Sequence, residues 1–253
     1  MASNFANQVL IMKKIVLVVF AVVSVSAAFA QKAKAKKSWD KVTGRAGDHI
    51  MLQLTSDHWM GAPDSISSHI KSLSRGANIY IMMDKPFKGS PRFSAAFGIG
   101  IGTSNMFFKN ESIDVKSLTT YLPFRNLDTL DRFKKYKLTT TFLEVPVELR
   151  FSSDPENDGK SIKVALGVKV GTLLAAHTKG KSPESKTGAS INAYTEKESS
   201  KRFFNSTRLA ATARIGYGHF SLFGSYQINS IFKDGVAADT KLIQVGLCLS
   251  GLC

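Results

Sequence analysis

The sequence has only two cysteines in 253 residues, and both lie at its C-terminal end. On an extended strand, Cys248 and Cys253 are roughly 16 Å apart, which is far beyond the reach of a disulfide bond. No cysteine or histidine spacing resembles a zinc site, and no disulfide framework is available. The chain is therefore not a disulfide-stapled domain, and Cys248 is interpreted as a small packing residue.

Beyond residue 30 the sequence also has no apolar run long enough for a transmembrane helix of ~20 residues. Before that point, the basic start at 12–14 leads into an apolar run over 15–29. Small residues at 28 and 30 precede Gln31. This pattern is typical of a secretory signal peptide and predicts cleavage between Ala30 and Gln31. A single membrane-anchoring helix is the alternative.

The signal pattern divides the chain into three parts. Residues 1–30 are interpreted as an N-terminal extension and signal peptide, with Met12 as the true start. Residues 31–47 are basic and poor in apolar side chains, so they predict a flexible lead-in. Residues 48–253 form the single folded domain, for an exported protein that is either soluble or embedded in an outer membrane.

Catalytic patterns are lacking as well. The five histidines are scattered, with no Ser/His/Asp spacing among them. The alternating glycines at 98–102 lie inside a strand pattern and not at a strand-to-helix turn, which excludes a phosphate loop. Glu144 and Glu148 are roughly 13 Å apart along a strand, too far for a paired acid and base. We therefore expect no enzyme activity, no catalytic residues, no metal site and no cofactor.

The charge is strongly one-sided, with 34 lysines and arginines against 19 acids, a formal net charge of +15. Such a balance can indicate nucleic acid binding, but an exported chain rarely meets nucleic acid. Attraction to anionic lipid head groups or polysaccharide is the preferred interpretation.

What the sequence does have is strict alternation. In 161–171, apolar side chains occupy every second position, which predicts a β-strand with one apolar face. Similar segments recur along the chain. They predict eight strands, at 48–57, 76–85, 92–105, 137–152, 161–174, 205–217, 219–231 and 240–250.

The connections between these strands alternate in length. The first, third and fifth, at 58–75, 106–136 and 175–204, are long, and those between them are short. Outer-membrane barrels have long outer loops and short periplasmic turns. The pattern therefore predicts an all-β fold, a single eight-stranded antiparallel up-and-down transmembrane β-barrel.

Alternation alone does not say which face points inward. In a membrane barrel the face with Lys163 and Lys169 must be the lumen, since each lysine facing lipid near the midplane would cost ~2–4 kcal/mol. Buried charges need partners, so we predict a charge network inside the lumen and no wide pore. Its predicted members are Asp84, Glu144, Glu148, Arg150, Lys163, Lys169, Arg208 and Arg214. The alternative is an exported soluble lipocalin-like barrel that binds an apolar ligand and exposes these charges.

Two further features concern the ends of the barrel. Trp59 and Tyr217 are the best candidates for aromatic residues at the membrane interface. The loops at 106–136 and 175–204 carry charges of both signs. They are either passive solvated loops or a surface that recognises envelope protein partners.

At Phe142–Phe151 the strand reads aromatic-Leu-Glu-Val-Pro-aliphatic, and in this it resembles the PorT-like outer-membrane β-barrel family of Gram-negative bacteria. The glycine-alternating stretches at 96–102 and 166–171 fit the same resemblance, which covers roughly 48–253. It implies an eight-stranded barrel in the outer membrane with outer-membrane lipid as its surroundings. The family's founding member serves a protein-secretion system. One departure is the C-terminus, which lacks the final aromatic residue usual in such barrels.

The leading hypothesis is thus a non-enzymatic outer-membrane barrel with an envelope-structural or surface-interaction role. A soluble ligand-binding barrel and a component of a type IX protein-secretion system are the alternatives.

Overall fold

The computed structural model describes residues 50–251, in which β-strands dominate. The strands are β1 Ile50–Met60, β2 Arg75–Phe87, β3 Ser90–Phe108, β4 Glu111–Ile113, β5 Phe124–Asn126, β6 Arg132–Ser152, β7 Ile162–Glu184, β8 Thr195–Ser199, β9 Thr207–Tyr217, β10 Phe220–Gln227 and β11 Lys241–Ser250. A one-turn helix, α1, spans Asp64–Ser67, and a 3-10 turn spans Asp158–Lys160.

Eight of these strands close into one antiparallel barrel. Going around it, the order is β1, β2, β3, β6, β7, β9, β10 and β11, and β11 pairs with β1 to close the ring. The predicted eight-stranded antiparallel up-and-down barrel is confirmed. Outside the ring, β8 pairs with the far end of β7, and β4 pairs with β5 in a separate small ladder.

Some strands are longer than the sequence pattern predicts. β6 begins at Arg132 and not at 137, and β7 continues to Glu184 and not 174. On β7 the reason is a β-bulge at Leu174, since Phe142 pairs with Leu173 while the preceding Thr141 pairs with Ala175. Because of the extra residue, odd-numbered side chains point inward before the bulge and even-numbered ones after it. A single alternating pattern therefore does not run through the whole strand. Much of the two predicted loops is therefore strand.

The outward face of the barrel is an apolar belt. Its side chains are well exposed, with Leu54 69% and Leu149 63% accessible, and they come from all eight barrel strands. On β7 the belt runs from Ile162 to Leu174, roughly 40 Å along the strand and about 30 Å in height at the usual tilt. This height is enough for the apolar band of a membrane barrel. A soluble lipocalin-like barrel needs these side chains inside, and the structure places them outside.

The two ends of the barrel differ. One end has short turns, such as Lys88-Gly89 between β2 and β3, and Gly218-His219 between β9 and β10. Gly218 has a φ of 58°, which favours glycine. The other end carries the four longer connections, and we call it the outer end. In residues 50–251 we find no helix with the length and apolar character needed to cross a bilayer.

The predicted cleavage site at Ala30 and Gln31, the lead-in at 31–47 and Cys253 lie outside the described residues.

Candidate functional site: the filled bore and the outer cap

Glu144 lies at the centre of the bore and contacts two cations. Its Oε2 is 3.3 Å from Lys169 Nζ, and its Oε1 is 3.0 Å from Arg208 Nη1. All three side chains are almost fully buried. The Arg208 guanidinium also stacks on Phe142, with its carbon 3.9 Å from the ring centre. The carboxylate is thus compensated from two strands, as a buried charge requires.

A missing side chain makes this contact possible. Glu144 on β6 pairs with Gly171 on β7, and Gly171 pairs with Arg208 on β9. A Cβ atom at Gly171 would lie 2.9 Å from Glu144 Cγ. Gly102 on β3 leaves room in the same way, because a Cβ there would meet Glu144 Oε2 at 2.5 Å. The inward glycines therefore make space for charged side chains in a narrow bore.

A second charge cluster lies nearer the short-turn end. Arg150 Nε and Arg214 Nη2 each lie 2.9 Å from the same oxygen, Glu148 Oε2. Arg214 Nη1 also donates to Ser250 Oγ at 3.3 Å. Gly167, which pairs with Glu148, leaves room for this cluster as Gly171 does for the first one.

The two other residues predicted for the network lie toward the same end. Asp84 is half-buried on the inward face of β2, in register with Ala96, which in turn pairs with Glu148. Lys163 is half-buried at the start of β7 and pairs with Gly216. The structure thus brings six of the predicted residues into two clusters and places these two on the same face.

Further polar residues line the bore besides the predicted members, and Tyr80, Gln244 and Asp57 belong to the hydrogen-bond network around Glu144. The Tyr80 hydroxyl donates a hydrogen bond to Glu144 Oε2. Gln244 accepts from Lys169 Nζ at 3.2 Å and donates to Asp57 Oδ1 at 3.1 Å. All three are buried on inward parity. The parity of β1, β2 and β11 contains this signal. A search for charged side chains passes over tyrosine and glutamine, and Asp57 is missed because it is the last residue of the predicted first strand, 48–57.

The outer half of the bore is filled by an apolar core that the sequence pattern did not predict. It contains, among others, Phe108, Phe142, Phe203, Phe204 and Phe232. The aromatic side chains come from β3, β6 and the outer connections, so they close the barrel at its outer end. A smaller apolar cluster that includes Met51, Met82 and Phe223 lies beside the Glu148 cluster. The bore is therefore closed by apolar packing as well as by ion pairs.

The prediction that Trp59 lies at the membrane interface is wrong. Its ring packs edge-on against Phe108 and Phe232, each at 5.6 Å between ring centres, within the outer apolar core. Trp59 has the inward parity of Gln53 and not the outward parity of Leu54, which explains its position. Tyr217, in contrast, is 58% exposed on the outward face at the short-turn end of β9.

The outer connections are tied to one another, and we call this assembly the outer cap (61–74, 109–131, 185–206 and 228–240). Arg202 donates to the carbonyl oxygens of Ser117 and Leu118, at 3.0 and 3.2 Å. The Leu122 amide donates to Val236 O at 2.9 Å. These bonds fix a turn on which Leu118 and Tyr121 stand out, 89% and 59% exposed.

A histidine joins the first and second connections of the cap. His69 Nε2 lies 3.3 Å from Asp128 Oδ2, while its Nδ1 lies 2.8 Å from the carbonyl oxygen of Ser65. Because both partners are acceptors, the ring is best satisfied when both nitrogens carry protons. The Ser65 carbonyl, aided by Asp128, raises the pKa of His69. Hydrogen bonds from Asn110 and His69 lower the pKa of Asp128.

Glu111, at the start of β4, lies close enough to His69 to feel its charge. Glu111 is only 4% exposed. Burial raises the pKa of its carboxyl to about 7, while the positive charge of His69 lowers this pKa. The cap therefore contains groups that change protonation near neutral pH.

A cleft of about 240 Å³ opens beside β8 in the cap. Phe133 and Tyr136 stack on one another with their ring centres 5.9 Å apart on one wall. Glu196 and Glu198 of β8 form another. Within residues 50–251, no three histidine, cysteine or acidic side chains converge as a metal site would need.

A protein-family model described as "Outer membrane protein beta-barrel domain" matches residues 29–233. No curated protein sequence matches the chain.

Proposed function

Since the chain belongs to the outer-membrane β-barrel domain family, we propose that it is a closed, non-enzymatic scaffold that holds the outer cap at the cell surface for an envelope protein partner. The observation that carries this proposal is the filled bore. Glu144, Lys169 and Arg208 meet across it, and the aromatic core closes its outer half.

A scaffold of this kind gains rigidity from a filled interior. Charges that are paired in a low-dielectric bore fix the strands relative to one another, because separating the partners leaves an uncompensated charge. The strands β6 and β7 continue past the apolar belt as one ladder and carry the cap with them. The cap is thereby held at a set height above the membrane.

The cap has the kind of surface that protein partners use. Leu118 and Tyr121 stand out from a turn that Arg202 fixes from the neighbouring connection. An exposed aromatic residue on a fixed backbone loses little conformational entropy on binding, and tyrosine is enriched in interface hot spots. This supports a surface-interaction role for the predicted loops 106–136 and 175–204.

Two measurements test this proposal. The purified barrel, reconstituted in planar bilayers, is expected to give no ion-conducting steps, and stable ohmic steps would contradict a closed scaffold. In cells, photo-crosslinking residues at Leu118 and Tyr121 are expected to give the same discrete adduct. A residue at Glu156, on the short-turn end, is the matched control and should not give it. No adduct from either cap position would refute the partner-binding role.

The resemblance of Phe142–Phe151 to PorT-like barrels supports a second candidate, a part in a type IX protein-secretion system. Deletion of the gene followed by measurement of secreted cargo tests it, and unchanged secretion would dismiss it.

A further inference from the structure

Beyond the apolar belt, β6, β7 and β8 form a small sheet, and five lysines share its outward face. In one row, Lys137 pairs with Lys179, and Lys179 pairs with Lys197. In a second row, Lys135 pairs with Lys181. We call these five residues the lysine ladder.

Such an arrangement is unfavourable on its own. Adjacent strands are only about 4.8 Å apart, and like charges directly opposite one another destabilise a sheet. In the part of the chain that the structure describes, the salt bridges of the cap involve other lysines and acids than these five. Glu196 and Glu198 alternate with Lys197 along β8, so they line the cleft on the opposite face. The lysine ladder thus presents a concentrated positive charge.

The ladder lies at the height of the lipid head groups. Lys179 follows the outward-facing Leu174 by five residues, roughly 16 Å along the strand and about 12 Å in height. Lysine side chains can reach back toward the membrane along their apolar stems. Next to the ladder, Phe107 on β3 lies between Lys137 and Arg75, whose charged groups are 5.8 and 5.7 Å from its ring centre. Two cation–π contacts thus add to the positive charge beside the ladder on the outward face.

We propose that the lysine ladder is a binding site for the phosphate groups of an anionic glycolipid in the outer leaflet around the barrel. The cross-strand pairs bring two or three ammonium groups within reach of one phosphate. Neutralisation by phosphate removes the repulsion that the pairing creates. The charge, the pairing and the height above the belt together favour a lipid over a soluble polyanion. The proposal depends on the membrane position of the barrel and not on the partner proposed for the cap.

The test uses the full chain in dodecyl maltoside micelles, with diphosphorylated lipid A as the probe and its dephosphorylated form as the paired control. Binding is measured by native mass spectrometry and by titration. The variant is Lys137→Gln/Lys179→Gln/Lys197→Gln. Its matched control is Lys85→Gln/Lys88→Gln/Lys160→Gln, which removes the same charge at the short-turn end. Heat-modifiable gel mobility shows that each variant is folded.

Each lysine is expected to contribute about fivefold to the affinity. The triple glutamine variant of the ladder should therefore bind diphosphorylated lipid A roughly 100-fold more weakly, while the control variant keeps the native affinity. The triple Lys→Arg variant should bind like the native chain, which keeps the test valid if the glutamine variant does not fold. Three outcomes would overturn the proposal: equal losses in both glutamine variants, equal binding of the dephosphorylated lipid, or tighter binding of inorganic phosphate or heparin than of lipid A.

Discussion

Glu144 and Arg208 form a salt bridge of 3.0 Å inside the barrel although a whole strand, β7, lies between theirs. The β7 residue opposite both is Gly171, which has no side chain to separate them. The filling of the bore therefore depends as much on where side chains are missing as on where charges stand.

Replacement of Gly171 by valine should destabilise the barrel. A Cβ there would lie 2.9 Å from Glu144 Cγ and 3.1 Å from Leu143 O, so the ion pair must shift. Overpacking of this kind costs about 1–3 kcal/mol. Urea unfolding, followed by heat-modifiable mobility, measures the loss. Gly224→Val is the matched control, since a Cβ at that strand position meets nothing within 4 Å. Equal losses in both variants would show that Gly171 has no special role.

Glu144→Gln should be more damaging. It leaves Lys169 and Arg208 buried without a countercharge, which typically costs about 3–5 kcal/mol. The exposed Glu156→Gln is the control, and it should change the free energy of unfolding by less than about 0.5 kcal/mol. If Glu144→Gln were equally harmless, the ion pairs would not hold the strands together.

Tyr80→Phe removes the hydrogen bond that the hydroxyl donates to Glu144. A hydrogen bond to a charged group contributes about 1.5–3 kcal/mol, so a loss in that range is expected on urea unfolding. The loss should shrink when Glu144 is already glutamine, because the two residues belong to one network. Fully additive losses in the double variant would contradict this coupling.

The outer cap should open more readily as the pH rises. The pKa of Glu111 is raised from 4.5 to about 7, and that of His69 is raised above 6.5. A group whose pKa is higher in the folded state stabilises that state fully at pH values below its unfolded-state pKa. This stabilisation is lost as the pH rises through the folded-state pKa. For Glu111 the window therefore runs from about pH 4.5 to about pH 7, and the His69 contribution falls only above its ordinary pKa of 6.5. The lowered pKa of Asp128 affects the stability of the cap only in more acidic solution, near and below the ordinary pKa of 3.8.

Hydrogen–deuterium exchange of the amides at 109–128, corrected for intrinsic rates, measures this opening. Protection should be lower at about pH 8 than at about pH 5. Glu111→Gln should remove most of the difference, and His69→Gln a part of it. Protection that rises with pH in the native chain would contradict the assignment.

The barrel could be predicted because its signal is local. Alternation separates the two faces of each strand, the cost of lysine in lipid decides which face is inward, and the lengths of the connections fix the two ends. The inward charges on β6, β7 and β9 follow from parity, but their pairing does not, because which residues meet depends on strand register. Glu144 and Arg208 are partners only because both align with Gly171.

The outer end could not be predicted in the same way. A single extra residue at Leu174 reverses the inward and outward parity of β7. The part of β7 beyond it carries Lys179 and Lys181 of the lysine ladder and lines the cleft with Thr178 and Gly180, yet its sequence looks like a polar loop. Residue type alone places Trp59 at the membrane interface, whereas its parity on β1 directs its side chain into the aromatic core. The core itself joins distant connections and has no periodic signature.

The most direct test of the account compares two neighbouring alanines on β9. Ala211 is exposed on the apolar belt, and Ala210 is buried in the bore opposite Lys169. The native chain is reconstituted in lipid vesicles and irradiated with a lipid-soluble diazirine, whose carbene inserts into C–H bonds that face the hydrocarbon. Mass spectrometry then locates the labelled residues. The account predicts rapid labelling at 211 and none at 210. Rapid labelling at 210 with protection at 211 would mean that the apolar side chains fill the barrel and the charges face outward.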